Sequence, residues 1–162
     1  MMDSIYIETS IVSHATARPS SKPDLALLQQ QARDWWDRER PKFRVVTSQL
    51  VIDEAALGDP DAAIARLELL ADLDLVPADP RIEAIAEELI ARHLMPKKAR
   101  LDAFHVATAA VSGVQFLLTQ NCRHIANGHT LPRVYKTLKE LGFPDLLIYT
   151  PAVFLESDSD DK

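Results

Sequence analysis

Short runs of β-branched and apolar residues alternate with stretches of helical spacing along the whole chain. The runs fall at 5–7, 43–46, 73–76, 114–118 and 147–149, and each is the length of one strand. Residues 24–40 read as a helix, with Leu25, Leu28, Ala32, Trp35 and Trp36 on one broad side and Pro41 as its stop. Thr9 or Ser10 is expected to cap a helix after the first strand, and Thr47 or Ser48 one after the second. That second helix carries Leu50, Val51, Glu54, Ala55 and Leu57 and stops at Gly58. Asp59-Pro60 and Asp79-Pro80 place an N-cap ahead of proline and predict helices at 60–71 and 80–93. Further helices are expected at 97–112, closed by Gly113, at 122–126 and at 132–141, with a last helical turn from Pro151.

Strand and helix taking turns from end to end predicts a three-layer α/β/α sandwich around a central, mostly parallel five-stranded sheet. With 162 residues, 47% hydrophobic and 26% charged, the chain suits one globular domain, here 1–155, followed by an acidic tail, 156–162. Whole-chain disorder is excluded, and Cys122, the only cysteine, excludes a disulfide framework. The longest apolar stretch, 103–118, is interrupted by His105, Thr108, Ser112 and Gln115, and reads as a buried helix and a strand rather than a membrane span. The opening residues lack the basic start and long apolar run of a signal peptide, so a cytoplasmic location is expected. A net charge of −6 argues against coating nucleic acid by bulk charge, although basic residues gather at 33–44, 92–100 and 123–139. Neither a G-x-G-x-x-G loop nor a P-loop is present.

Three acids break the packing pattern. Glu8 follows the first strand, and Thr119, Gln120 and Asn121 follow the fourth, at the carboxyl edge where open parallel sheets bind ligands. At about 100° per residue, Glu54 shares a narrow arc with Leu50 and Leu57, where an apolar side chain is expected. Asp102 sits one turn from His105 on a helix that is apolar on most sides. Inward carboxylates suit a hard divalent cation, since Mg²⁺ and Mn²⁺ prefer oxygen ligands. Each acid also has a plainer reading. Glu8 could accept hydrogen bonds from the following helix start, and Asp102 could pair with Arg100 or His105. His105 reads as a satisfied core histidine, Cys122 as a small packed side chain, and Trp35-Trp36 as core or dimer contact.

Four fragments, in this order and spacing, resemble a PIN domain, and in particular the VapC-type toxins of type II toxin–antitoxin systems. They are Tyr6-Ile7-Glu8-Thr9-Ser10, Thr47-Ser48 through Asp53-Glu54, Asp102-Ala103-Phe104-His105-Val106-Ala107, and the stretch from Leu117 through Asn121 to Asn127. The resemblance implies a Mg²⁺- or Mn²⁺-dependent endoribonuclease acting on single-stranded RNA through a metal-activated water. It makes Glu8 the first acid, where Asp is commoner, Glu54 the second and Asp102 the third, and these three the metal ligands. Asn121 falls where many members have a further Asp, and Thr119 at a hydroxyl position near the site. Substrate contacts are expected from Thr119, Arg123, Arg100 and Lys97, with Arg18 on the same basic rim. A cognate antitoxin and a homodimer, through the apolar content of 25–36, are the implied partners. Glu8 and Asn121 depart from the common pattern and support a second reading, a weak or inactive PIN-like module that binds RNA or a protein. A metal-dependent phosphatase or DNA nuclease on a similar sheet is a third.

Overall fold

A computed structural model describes residues 2–157. Five strands form one sheet: β1 (Ser4–Ile7), β2 (Arg44–Thr47), β3 (Asp74–Leu75), β4 (Phe116–Leu118) and β5 (Leu147–Tyr149). Their spatial order is β3-β2-β1-β4-β5, and every neighbouring pair is parallel. The chain thus winds outward from β1 in one direction and then returns to build β4 and β5 on the other side. In open parallel sheets such a reversal, here between the carboxyl ends of β1 and β4, is where a ligand crevice forms.

Eight α-helices pack around this sheet among the described residues: α1 (Thr9–Thr16), α2 (Pro23–Asp34), α3 (Gln49–Ala55), α4 (Pro60–Leu70), α5 (Arg81–Ala91), α6 (Arg100–Ser112), α7 (Leu131–Glu140) and α8 (Pro151–Ser157). The arrangement is the expected α/β/α sandwich. Successive strand residues face opposite layers. Tyr6 reaches His105 on α6, whereas Phe116 meets Phe43 and Phe154 of α8. α6 is buried on most of its surface, at Ala103, His105, Val106, Ala107, Thr108, Ala109 and Ala110, and ends where Gly113 takes the left-handed conformation that favours glycine. Beneath α8, Trp35, Phe43, Phe116, Tyr149 and Phe154 form an aromatic cluster with ring centroids 5.4–6.5 Å apart. No helix among the described residues is long and apolar enough to cross a membrane.

Several elements depart from the expected bounds. The helix at 24–40 stays α-helical only to Asp34, then widens into a π-turn at Trp35–Glu39 and tightens into a 3₁₀ turn at Arg40–Lys42. The register change lets Trp35 be fully buried while Trp36 stays at the margin beneath Arg40. β3 shrinks to two exposed residues because it is a sheet edge. Residues 122–126 form turns rather than a helix, since Ile125 and Ala126 both donate to the Asn121 carbonyl and no ladder propagates. Cys122 is exposed and not packed. α3 ends at Ala55, which leaves Leu57 exposed and outside the arc assigned to it. α5 begins at Arg81, held by the Asp79 carboxylate on its backbone N–H. The expected acidic tail starts inside α8 at Glu156, and residues 158–162 lie outside the described residues.

Leu117 is fully buried at the centre of the sheet. Leu117→Ala should therefore lower stability by about 2–5 kcal/mol in urea denaturation, through lost transfer energy and the cavity left behind. An unchanged midpoint would contradict this account of the core.

Candidate active site

The crevice begins with Glu8, one residue past β1. Its backbone N–H donates to the Leu118 carbonyl at 3.1 Å, which ties it to the end of β4. The side chain is only 5% exposed and is the N-cap of α1, in place of the expected Thr9 or Ser10. The Ser10 N–H donates to its Oε2 at 3.0 Å. The hydroxyls of Ser10 and Thr119 both donate to its Oε1, at 2.5 Å each. Thr119 is fully buried, and its Oγ1 accepts the Asn121 N–H at 3.0 Å. The plainer reading of Glu8 is thus correct as geometry, and the helix dipole favours its charge. It does not empty the crevice of other acids.

Asp102 lies in the first turn of α6, half-buried. Burial, and then the negative charge of Glu8, push its carboxyl above the ordinary carboxylate range, although the charges of His105 and His124 and a hydrogen bond from Asn121 pull the other way. Asn121 is oriented by its own turn: its Oδ1 accepts the His124 N–H at 3.0 Å, so its amide nitrogen is the group that faces Asp102. Glu8, Asp102, Thr119 and Asn121 therefore form one neighbourhood. Arg100 does not pair with Asp102. It is bound by Glu87 and Glu83 and lies over the Phe104 ring.

Glu54, in the last turn of α3, is turned a different way. Its Oε1 accepts the Thr9 hydroxyl at 2.7 Å and contacts His105 Nε2 at 2.5 Å. Burial raises its carboxyl, but the hydrogen bond and charge of His105, with the Thr9 bond, outweigh it and leave the carboxyl below its ordinary value. His105 is fully buried, as expected of a core histidine, but its partners are Glu54 on one nitrogen and Tyr6 on the other. Spacing alone did not reveal this link, nor the hydroxyls of Thr9, Ser10 and Ser48, which read equally well as helix caps.

No lysine or arginine pairs with Glu8, Glu54 or Asp102 among the described residues. Nor do any three His, Cys, Asp or Glu side chains gather there as a ready metal cage. The donor set nevertheless suits Mg²⁺ or Mn²⁺, which need only one or two carboxylates and keep several waters. Glu8 and Asp102, carboxylates whose charges oppose each other with no cation between them, supply that minimum.

Of the expected substrate contacts, Thr119 has its hydroxyl committed to Glu8 and is closed to solvent. Arg123 is exposed on the turn after Asn121. Lys97 lines a separate cleft with Ile90, His93 and Met95. Arg18 borders another, between α1 and α4.

The two shifted acids should give opposite pH signatures in the metal-free protein. Asp102 has a raised carboxyl, so its stabilising contribution is complete below the unfolded value of 3.8 and is lost as pH rises through the folded value. Asp102→Asn should melt with the wild type in acid and above it at neutral pH. Glu54 has a depressed carboxyl, so its contribution is present above the unfolded value of 4.5 and is lost as pH falls through the folded value. Glu54→Gln should melt below the wild type at neutral pH, with the gap closing in acid. Thermal denaturation across pH reads both, and equal gaps at every pH would contradict these environments.

No curated protein matches the chain. The model of one family, described as PIN domain, matches residues 5–129. That span runs from Ile5 in β1 past β4 and includes Glu8, Glu54, Asp102, Thr119 and Asn121. The chain belongs to the PIN domain family.

Proposed function

We propose that this PIN domain is a Mg²⁺- or Mn²⁺-dependent endoribonuclease and the toxin of a type II toxin–antitoxin pair. Membership of the PIN domain family supports a nuclease acting on nucleic acid. The observation that carries the finer reading is that the charge of Glu8 acts on Asp102 and that, among the described residues, neither acid pairs with a lysine or arginine. Glu8, Asp102 and Glu54 are the residues that would hold the cation, Glu54 through the oxygen not engaged by Thr9 and His105. When bound, a divalent cation offsets negative charge on phosphate and carboxylate and acidifies water.

The chain's own groups supply the rest. Ser10 and Thr119 hold Glu8 in one orientation from two sides. Asp102 orients the attacking water. Asn121 steadies Asp102 by donating to it and adds no charge. Arg123 stands on the exposed turn beside Asn121, in reach of an incoming phosphate strand. The same uncompensated acids are a target for an arginine on an antitoxin segment, which would silence the crevice by filling it with the opposite charge. The homodimer belongs to the same proposal, through the apolar content of 25–36, where Leu25 and Leu27 are exposed.

Asp102→Asn and Glu8→Gln should each reduce Mg²⁺-dependent cleavage of single-stranded RNA by roughly 10²–10³-fold, several kcal/mol of lost transition-state stabilisation. Growth inhibition on expression should disappear with it. Wild-type protein that binds RNA without cutting it at millimolar Mg²⁺ or Mn²⁺ would establish the non-catalytic module instead. Cleavage confined to DNA would reject the ribonuclease assignment.

A further inference from the structure

Four residues form an unbroken hydrogen-bonded chain inside the molecule. Ser48 Oγ lies 2.6 Å from the Tyr6 hydroxyl. That hydroxyl lies 3.0 Å from His105 Nδ1, and His105 Nε2 lies 2.5 Å from Glu54 Oε1. Tyr6 and His105 are fully buried, and Ser48 nearly so. Glu54 is the one member that reaches solvent, with a quarter of its side chain exposed. The chain joins β1, the start of α3, α6 and the end of α3, so three elements meet at one carboxylate.

The direction of the protons follows from the partners. An ionised Glu54 can only accept, so His105 Nε2 carries a hydrogen toward it. A neutral imidazole then has Nδ1 as an acceptor, and Tyr6 must donate to it. Ser48, which already accepts the Val51 N–H at 3.3 Å, donates in turn to Tyr6. Each hydrogen is used once. Burial raises the Tyr6 hydroxyl far above its ordinary value, so it remains a donor at any physiological pH. Thr9 closes the arrangement by donating to the same Oε1 at 2.7 Å. With two donors on Oε1, the carboxylate cannot rotate without breaking both bonds, and Oε2 is left for a ligand.

We propose that His105 is the positioning residue of this active site: with its hydrogen on Nε2 and its Nδ1 accepting from Tyr6, it holds one oxygen of Glu54 and reserves the other for the divalent cation. The role toward the cation rests on the metal-dependent reading above. The tautomer does not.

Long-range ¹⁵N–¹H correlation spectra of the metal-free protein, at mildly alkaline pH, test the first half. His105 should appear protonated on Nε2 alone, and a ring protonated on Nδ1 overturns the proposal. Tyr6→Phe removes the donor to Nδ1 and should shift the Nδ1 resonance toward that of an unbonded ring nitrogen while Nε2 keeps its hydrogen; an unaltered Nδ1 signal overturns it as well. Calorimetric titration with Mn²⁺ tests the second half. His105→Leu should weaken binding by roughly 10–100-fold, as for other groups that orient a metal ligand. His105→Gln, whose amide nitrogen can replace the Nε2 donor, should recover most of the loss. A folded His105→Leu protein that binds Mn²⁺ as tightly as the wild type overturns the positioning role. Wild-type protein with the Nε2–H ring and no uptake of Mn²⁺ upholds the hydrogen-bonded strut and overturns the metal-dependent reading instead.

Discussion

A carboxylate closed off from water at the junction of two strands governs this structure. Glu8 is buried, yet among the described residues no lysine or arginine pairs with it. Its charge is tolerated because Ser10, Thr119 and the first turn of α1 direct three donors at it. Those donors come from the two strand ends that flank the reversal of winding. The sheet topology and the acid therefore depend on each other: without β1 beside β4, Thr119 would not reach Glu8, and the first turn of α1 would lose its cap.

The two remaining acids sit in unlike environments. Asp102 is raised by burial and then by the like charge of Glu8, whereas Glu54 is tied to an imidazole and a hydroxyl and is lowered. Much of this polarity comes from burial of α6, which brings Asp102 and His105 to the sheet on one rigid element.

The fold was largely legible because its signals are local. Apolar runs marked all five strands within two residues at either end, and Gly113 marked the end of α6. β3 proved shorter, since an edge strand has a partner on one side only. The π-turn at Trp35–Glu39 was illegible, because placing a large ring in a distant aromatic cluster overrode helical periodicity. Among the site residues, the acids stood out as charges on faces meant for apolar groups. Their partners did not. Ser10, Ser48 and Thr119 have the composition of ordinary caps, and the contact between Glu54 and His105 spans 51 positions, which no helical or strand spacing encodes. Cys122 went the other way, exposed where small size suggested packing, because the segment around it never closes into a helix.

That exposed sulfur has a practical side. The chain has a single thiol, and it sits on the turn directly after Asn121. A maleimide-linked fluorophore or spin label would attach there once per molecule, at the lip of the crevice and outside the hydrogen-bonded interior. Arrival of an oligonucleotide or an inhibitory peptide could then be followed optically in the unmutated chain.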